Sequence, residues 1–155
     1  MKKVSRRDFL KLVGGGSAVA VAGVVLPQIG IMGQGSKDAF TFRAVAGVPG
    51  GSLPSYASYV VQGGVNLAAQ TGVITKNLFA GPPEAVSTIA LPGLARIIRV
   101  TSVRDLGATI EILGRVDDSA MLLKGENSTV QIQVDKASGT ARTQFIDREI
   151  DLKLE

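Results

Sequence analysis

The chain has 155 residues, 45% of them hydrophobic, and a formal charge of +4. It contains neither cysteine nor histidine. That excludes disulfides, thiolate metal sites and the usual ligand sets of zinc, copper, haem and iron–sulfur centres, so no cofactor is expected.

The charge excess is confined to one end. Residues 1–36 hold Lys2, Lys3, Arg6, Arg7 and Lys11 against the single acid Asp8, and residues 37–155 hold twelve basic and twelve acidic side chains. The sequence pI of about 9.6 is therefore a property of the N-terminal segment. A nucleic-acid binder needs a basic patch or stripe, and none remains in the neutral body, so nucleic acid is not an expected partner. Residues 37–155 suit a single domain, long enough to bury a core without covalent staples.

Ser5-Arg6-Arg7-Asp8-Phe9-Leu10-Lys11 precedes a run, residues 12–36, that carries no charge. The motif resembles a twin-arginine (Tat) signal peptide, Ser/Thr-Arg-Arg-x-Phe-Leu-Lys, with Ser5, Arg6, Arg7, Phe9, Leu10 and Lys11 meeting its defined positions. Such signals are addresses read by a receptor. Seven glycines dilute the apolar run, giving the weakly hydrophobic stretch that the resemblance implies, since glycine favours neither helix nor burial. Small-x-small cleavage sequences occur at Ala18-Val19-Ala20, inside the run, and at Ala44-Val45-Ala46, inside a predicted strand. The run is also long enough to span a bilayer, which takes roughly 20 residues. Residues 1–36 are thus expected to form a signal helix, either removed after export or kept as a membrane tether. The resemblance implies the Tat machinery as a partner in transit and a periplasmic, extracellular or cell-surface destination.

The body reads as β-structure. Residues 40–48 form a predicted strand, ended by Pro49-Gly50-Gly51, and residues 56–69 a longer one that Gly63-Gly64 would bulge or bend. A short helix over residues 55–61 is the other reading of that start. Gln70-Thr71-Gly72 marks a hairpin into residues 73–80, Gly81-Pro82-Pro83 ends that strand, and residues 85–91 are a further candidate. Residues 95–103 are rich in β-branched side chains and lead into the turn Arg104-Asp105-Leu106-Gly107. Strict alternation then marks residues 108–116, Val130-Ile132-Val134 and Ile150-Leu152-Leu154, with the turn at residues 135–139 opening a strand through Phe145. Roughly eight strands at short intervals predict an all-β antiparallel sandwich or barrel over residues 37–155.

Chemistry is thinly signalled. Without histidine, neither a Ser-His-Asp nor a Cys-His arrangement can be assembled. Asp117, Asp118 and Glu126 are the densest acidic group and the only candidate for a hard-cation site, but they lack the spacing of a calcium loop and read better as an exposed turn. Arg96 and Arg104 share strand parity and Arg99 takes the other face. Arg99 is a candidate for gripping a ligand carboxylate or phosphate, but an arginine here reads better as a structural partner of an acid such as Glu111 on the next strand. Tyr56 and Tyr59 are candidates for a contact surface, or else cover the edge of a core.

These readings lead to an exported, noncatalytic β-domain acting as a binding or structural accessory module, with a protein partner or a second copy of itself. The alternative is a closed barrel enclosing a small ligand, as a carrier or as an isomerase or cyclase that works without His or Cys. The two differ in one observable: whether the interior is a polar cavity or is filled by Ile, Val and Leu.

Overall fold

In a computed structural model, residues 37–48 and 57–155 are described. They form a closed barrel of eight antiparallel strands in simple sequence order. The strands are β1 (Ala39–Gly47), β2 (Ala57–Asn66), β3 (Thr71–Ala80), β4 (Arg96–Asp105), β5 (Thr109–Val116), β6 (Thr129–Asp135), β7 (Thr140–Phe145) and β8 (Arg148–Leu154). The choice between sandwich and barrel is thereby resolved. The expected signal helix, and Tyr56 with it, lie outside the described residues.

On β5, β6 and β8, period-2 patterning sets which side of the strand faces in. Ile110, Ile112 and Val116 on β5, Val130, Ile132 and Val134 on β6, and Ile150 and Leu152 on β8 are buried. Their neighbours Arg115, Gln131, Gln133, Asp151 and Lys153 are exposed, and Glu111 is half-buried. On these strands the apolar-in, polar-out arrangement is the inverse of that in a membrane-spanning barrel, which turns its apolar face outward. Eight strands enclose a space just wide enough for side chains to fill. Here Ile74, Ile98, Ile110, Ile112, Ile132 and Leu152 fill it, each almost completely buried. Full burial of such a side chain stabilises by roughly 1.5–3 kcal/mol, so the interior is the main source of fold stability.

β1 and β8 close the barrel over a short seam, with Ala44 opposite Leu154 and Val45 opposite Lys153. The Glu155 amide adds a bond to the Arg43 carbonyl. Antiparallel succession sorts the connections to two ends. The turn end carries the tight connections 67–70, 106–108 and 136–139. The loop end carries the long connections 81–95 and 117–128 together with the two-residue turn 146–147.

Four expectations about local structure are corrected. Gly63 and Gly64 do not bulge β2, which pairs without interruption with both neighbours. A Cβ on Gly63 would strike the Val73 carbonyl and lie 2.7 Å from the Ile74 Cα, so glycine here permits close strand approach. The extra residue is Thr101 on β4, where Val100 faces Gly114 and Ser102 faces Leu113. Residues 85–91 are not a strand: a single 3-10 turn at Pro83–Ala85 is followed by irregular chain with one bridge, Phe79 to Ala90. Residues 57–61 belong to β2, not to a helix. The β2–β3 turn ends at Gln70, which adopts φ 53°, and Thr71 and Gly72 already belong to β3.

Candidate functional site

β3 reads Ile74, Lys76, Leu78 on its inward parity and β4 reads Arg96, Ile98, Val100. A lysine and an arginine thus take positions that alternation reserves for aliphatic side chains, and the register sets them opposite each other. Both are buried, with relative exposures of 4% for Lys76 and 5% for Arg96. They sit under the loop end of the barrel.

The 117–128 connection supplies the counter-charge. Glu126 reaches in and accepts from Arg96 Nε at 3.0 Å and Nη2 at 2.8 Å, the bidentate fork geometry. Arg96 Nη1 donates to the Gly93 and Ala95 carbonyls at 3.0 and 2.9 Å. The Leu123 amide also donates to Glu126 Oε2, at 3.1 Å. Burial raises the Glu126 pKa, but Arg96, the Leu123 amide and the Lys76 charge outweigh it and hold the carboxyl below its usual range.

Among the described residues no carboxylate bonds Lys76 directly. Its Nζ donates to the Gln144 carbonyl at 2.8 Å and lies 5.6 Å from the centre of the Tyr59 ring. Burial is the largest influence and Arg96 adds repulsion. Against the opposing attraction of Glu126, they bring its pKa from 10.5 down to about 8. Tyr59 packs edge-on against Phe145 with ring centroids 4.6 Å apart. Burial first, and the Glu126 charge second, push its hydroxyl pKa far up despite Arg96.

Between these groups lies a shallow pocket of about 10 Å³, lined by Tyr59, Leu94, Arg96, Leu123, Glu126, Phe145 and Ile146. That is about the room one water molecule needs. Arranged this way, the cluster holds the Glu126 carboxylate and leaves room beside it for little more than a water molecule.

The sequence candidates are dispersed. Tyr59 belongs to the cluster. Arg99 does not: it is exposed, and its Nε pairs with Asp117 at 2.7 Å on the outer surface. Asp118 accepts from the Ala120 amide at 3.1 Å and caps the 3-10 turn at Ser119–Met121. Asp117, Asp118 and Glu126 thus point to three different partners, and among the described residues no three acidic side chains gather as a cation set. The shared parity of Arg96 and Arg104 is also corrected. The bulge at Thr101 turns Val103 inward and leaves Arg104 exposed, opposite Glu111. The arginine that enters the core is Arg96, and its acid is Glu126.

Lys76 and Phe145 were not singled out from the sequence. The signal for Lys76 was present, since a cation between Ile74 and Leu78 on one strand face breaks the alternation. The chain matches no known family model, and no curated protein or solved structure resembles it at a significant level.

Proposed function

We propose that the chain is an exported, noncatalytic β-barrel module that acts by binding or scaffolding through its outer surface and loop end. The observation that carries this reading is the solid interior. An eight-stranded barrel either holds one small ligand or is filled by its own side chains. This one is filled by aliphatic residues, and its two inward cations are engaged by the protein itself, Arg96 by Glu126 and Lys76 by the Gln144 carbonyl. The export half of the reading rests on the Tat-like motif from Ser5 to Lys11. The destination follows from it: the periplasm, the cell exterior or, with the segment retained, the outer face of a membrane.

Native mass spectrometry of the protein recovered from an exporting cell tests this. The expected spectrum shows the chain with a protein partner or a second copy and no retained organic molecule. A monomer carrying a reproducible small-molecule mass would overturn the reading in favour of the enclosed-ligand carrier or enzyme.

A further inference from the structure

We propose that the loop end of the barrel is a carboxylate-binding site whose present occupant is the protein's own Glu126, and that short-chain organic carboxylates exchange with it when the 117–128 connection lifts.

Two observations lead there. The first is a charge imbalance inside the barrel. Lys76 and Arg96 face each other in register, both buried, and among the described residues a single carboxylate serves the pair, bonding Arg96 directly. Burying a cation without its own counter-ion is costly, and a core of this size is readily filled by aliphatic residues alone. A bidentate arginine fork beside a second cation is the arrangement that recognises a planar carboxylate.

The second observation is how the carboxylate arrives. Glu126 does not come from a strand of the barrel. It is carried by a surface connection in which nine of twelve residues are exposed, next to Gly125 at φ 89°. Described bonds tie the middle of that connection to the barrel through Glu126 itself and through Asn127, whose Nδ2 donates to Gln144 Oε1 at 3.0 Å. Leu122 packs against the core, whereas Leu123 is 40% exposed. A carboxylate followed by a few apolar carbons would replace what this segment inserts: its charge on the Arg96 fork, its chain against Leu94, Tyr59 and Phe145. The filled interior below limits the length of that chain, so the ligand class is short-chain carboxylates.

Seated, Glu126 closes the site, so the purified chain is expected bare of small molecules. The inference goes beyond the accessory-module reading, because it concerns the isolated barrel and holds whether or not a protein partner is found.

The test compares the wild type with Glu126→Gln, which keeps the shape and removes the competing charge. The probe is hexanoate, with acetate and 1-hexanol as controls. Binding is followed by calorimetry and by the NMR signal of the Arg96 Nε–H. Glu126→Gln is expected to bind hexanoate at least about tenfold more tightly than the wild type. That is the factor recovered when a competent state populated at about a tenth becomes the major one. Acetate and hexanol should bind more weakly than hexanoate, and adding Arg96→Met should abolish binding. Equal affinity of wild type and variant, equal binding of hexanol, or no movement of the Arg96 signal would each overturn the proposal. Should Glu126→Gln fail to fold, Leu123→Ser loosens the segment with the carboxylate in place. A hexanoate-dependent shift of the Arg96 signal in that variant supports the exchange, and its absence overturns it.

Discussion

Lys76 and Arg96 are cross-strand partners inside the barrel, one cation directly opposite another at a level where the neighbouring positions are aliphatic. Glu126 bonds Arg96 and acts on Lys76 through its charge alone. The three groups therefore form an unequal set: one tight pair and one cation held by a backbone carbonyl. The unequal set ties the 117–128 connection to the barrel and shapes how Lys76 responds to pH.

Removing one member of the tight pair should cost far more than removing both. Glu126→Ala leaves the Arg96 guanidinium buried without its carboxylate, a situation that costs about 3–5 kcal/mol. The double variant Arg96→Met/Glu126→Leu puts apolar volume in place of the pair, which is often neutral or stabilising. Urea unfolding of the two variants checks this, with the double variant expected to have the higher midpoint. If both lose the same stability, the pair contributes by packing and not by charge.

Gly63 should resist even the smallest side chain. A Cβ at this position would meet backbone on β3, the Val73 carbonyl and the Ile74 Cα, and backbone cannot rotate aside as a flexible side chain can. Gly63→Ala is expected to destabilise by about 1–3 kcal/mol through overpacking. Gly139→Ala, where a Cβ meets nothing within 4 Å but φ is 68°, provides the comparison. Its loss should be smaller and come from backbone strain. Thermal melts of both variants would show the order, and a Gly63→Ala protein as stable as the wild type would contradict the close approach.

The barrel was legible in the sequence where one face meets the core and the other meets water. β5, β6 and β8 alternate strictly, and their buried residues are the ones the alternation marks. Closure was not legible, because it depends on the β1–β8 seam, a contact between the two ends of the sheet that no local pattern encodes. The irregular 81–95 connection was misread at residues 85–91 because its apolar Val86, Ile89 and Leu91 mimic a strand. The pairing of Arg96 with Glu126 spans thirty residues and depends on how a loop folds back. The parity argument for Arg104 failed at the Thr101 bulge, which shifts every later residue of β4 to the opposite face.

Arg99, singled out in the sequence for ligand capture, should prove nearly silent in stability. Its side chain is 70% exposed and its pairing with Asp117 faces water. Exposed pairs of this kind contribute under about 1 kcal/mol and are screened by salt. Arg99→Ala is expected to shift the unfolding midpoint only slightly, and less at roughly 0.5 M than at roughly 0.05 M sodium chloride. A large, salt-independent loss would mean that the arginine supports more than the Asp117 contact.

The export reading has its own test at Arg6 and Arg7. A signal read by a receptor is sensitive to arginine chemistry and not to charge alone. Arg6→Lys/Arg7→Lys preserves the charge and is expected to leave the protein in the cytoplasmic fraction of a cell that exports the wild type. Undiminished export of the double lysine variant would remove the Tat assignment and favour another route.

Stability should rise with pH in the mildly alkaline range and fall beyond it, and the two arms belong to different residues. Lys76 has its pKa lowered from 10.5 to about 8, chiefly by burial, with Arg96 repelling and Glu126 attracting the charge. Between these values the unfolded chain binds the proton and the folded chain does not, so stability increases with pH. The Lys76 contribution is complete above about 10.5 and is lost as pH falls through 8. It corresponds to on the order of 3 kcal/mol. Tyr59 acts in the opposite sense. Its hydroxyl pKa is raised far above 10, by burial first and Glu126 second. Its contribution is therefore present below about pH 10 and is lost as the unfolded tyrosine begins to ionise. Urea midpoints measured from roughly pH 7 to 11 should trace a maximum near about pH 10. Lys76→Met should flatten the rising arm and Tyr59→Phe the falling one. A wild-type profile that declines steadily from about pH 7, unchanged by Lys76→Met, would show that the lysine keeps its ordinary affinity for the proton inside the barrel.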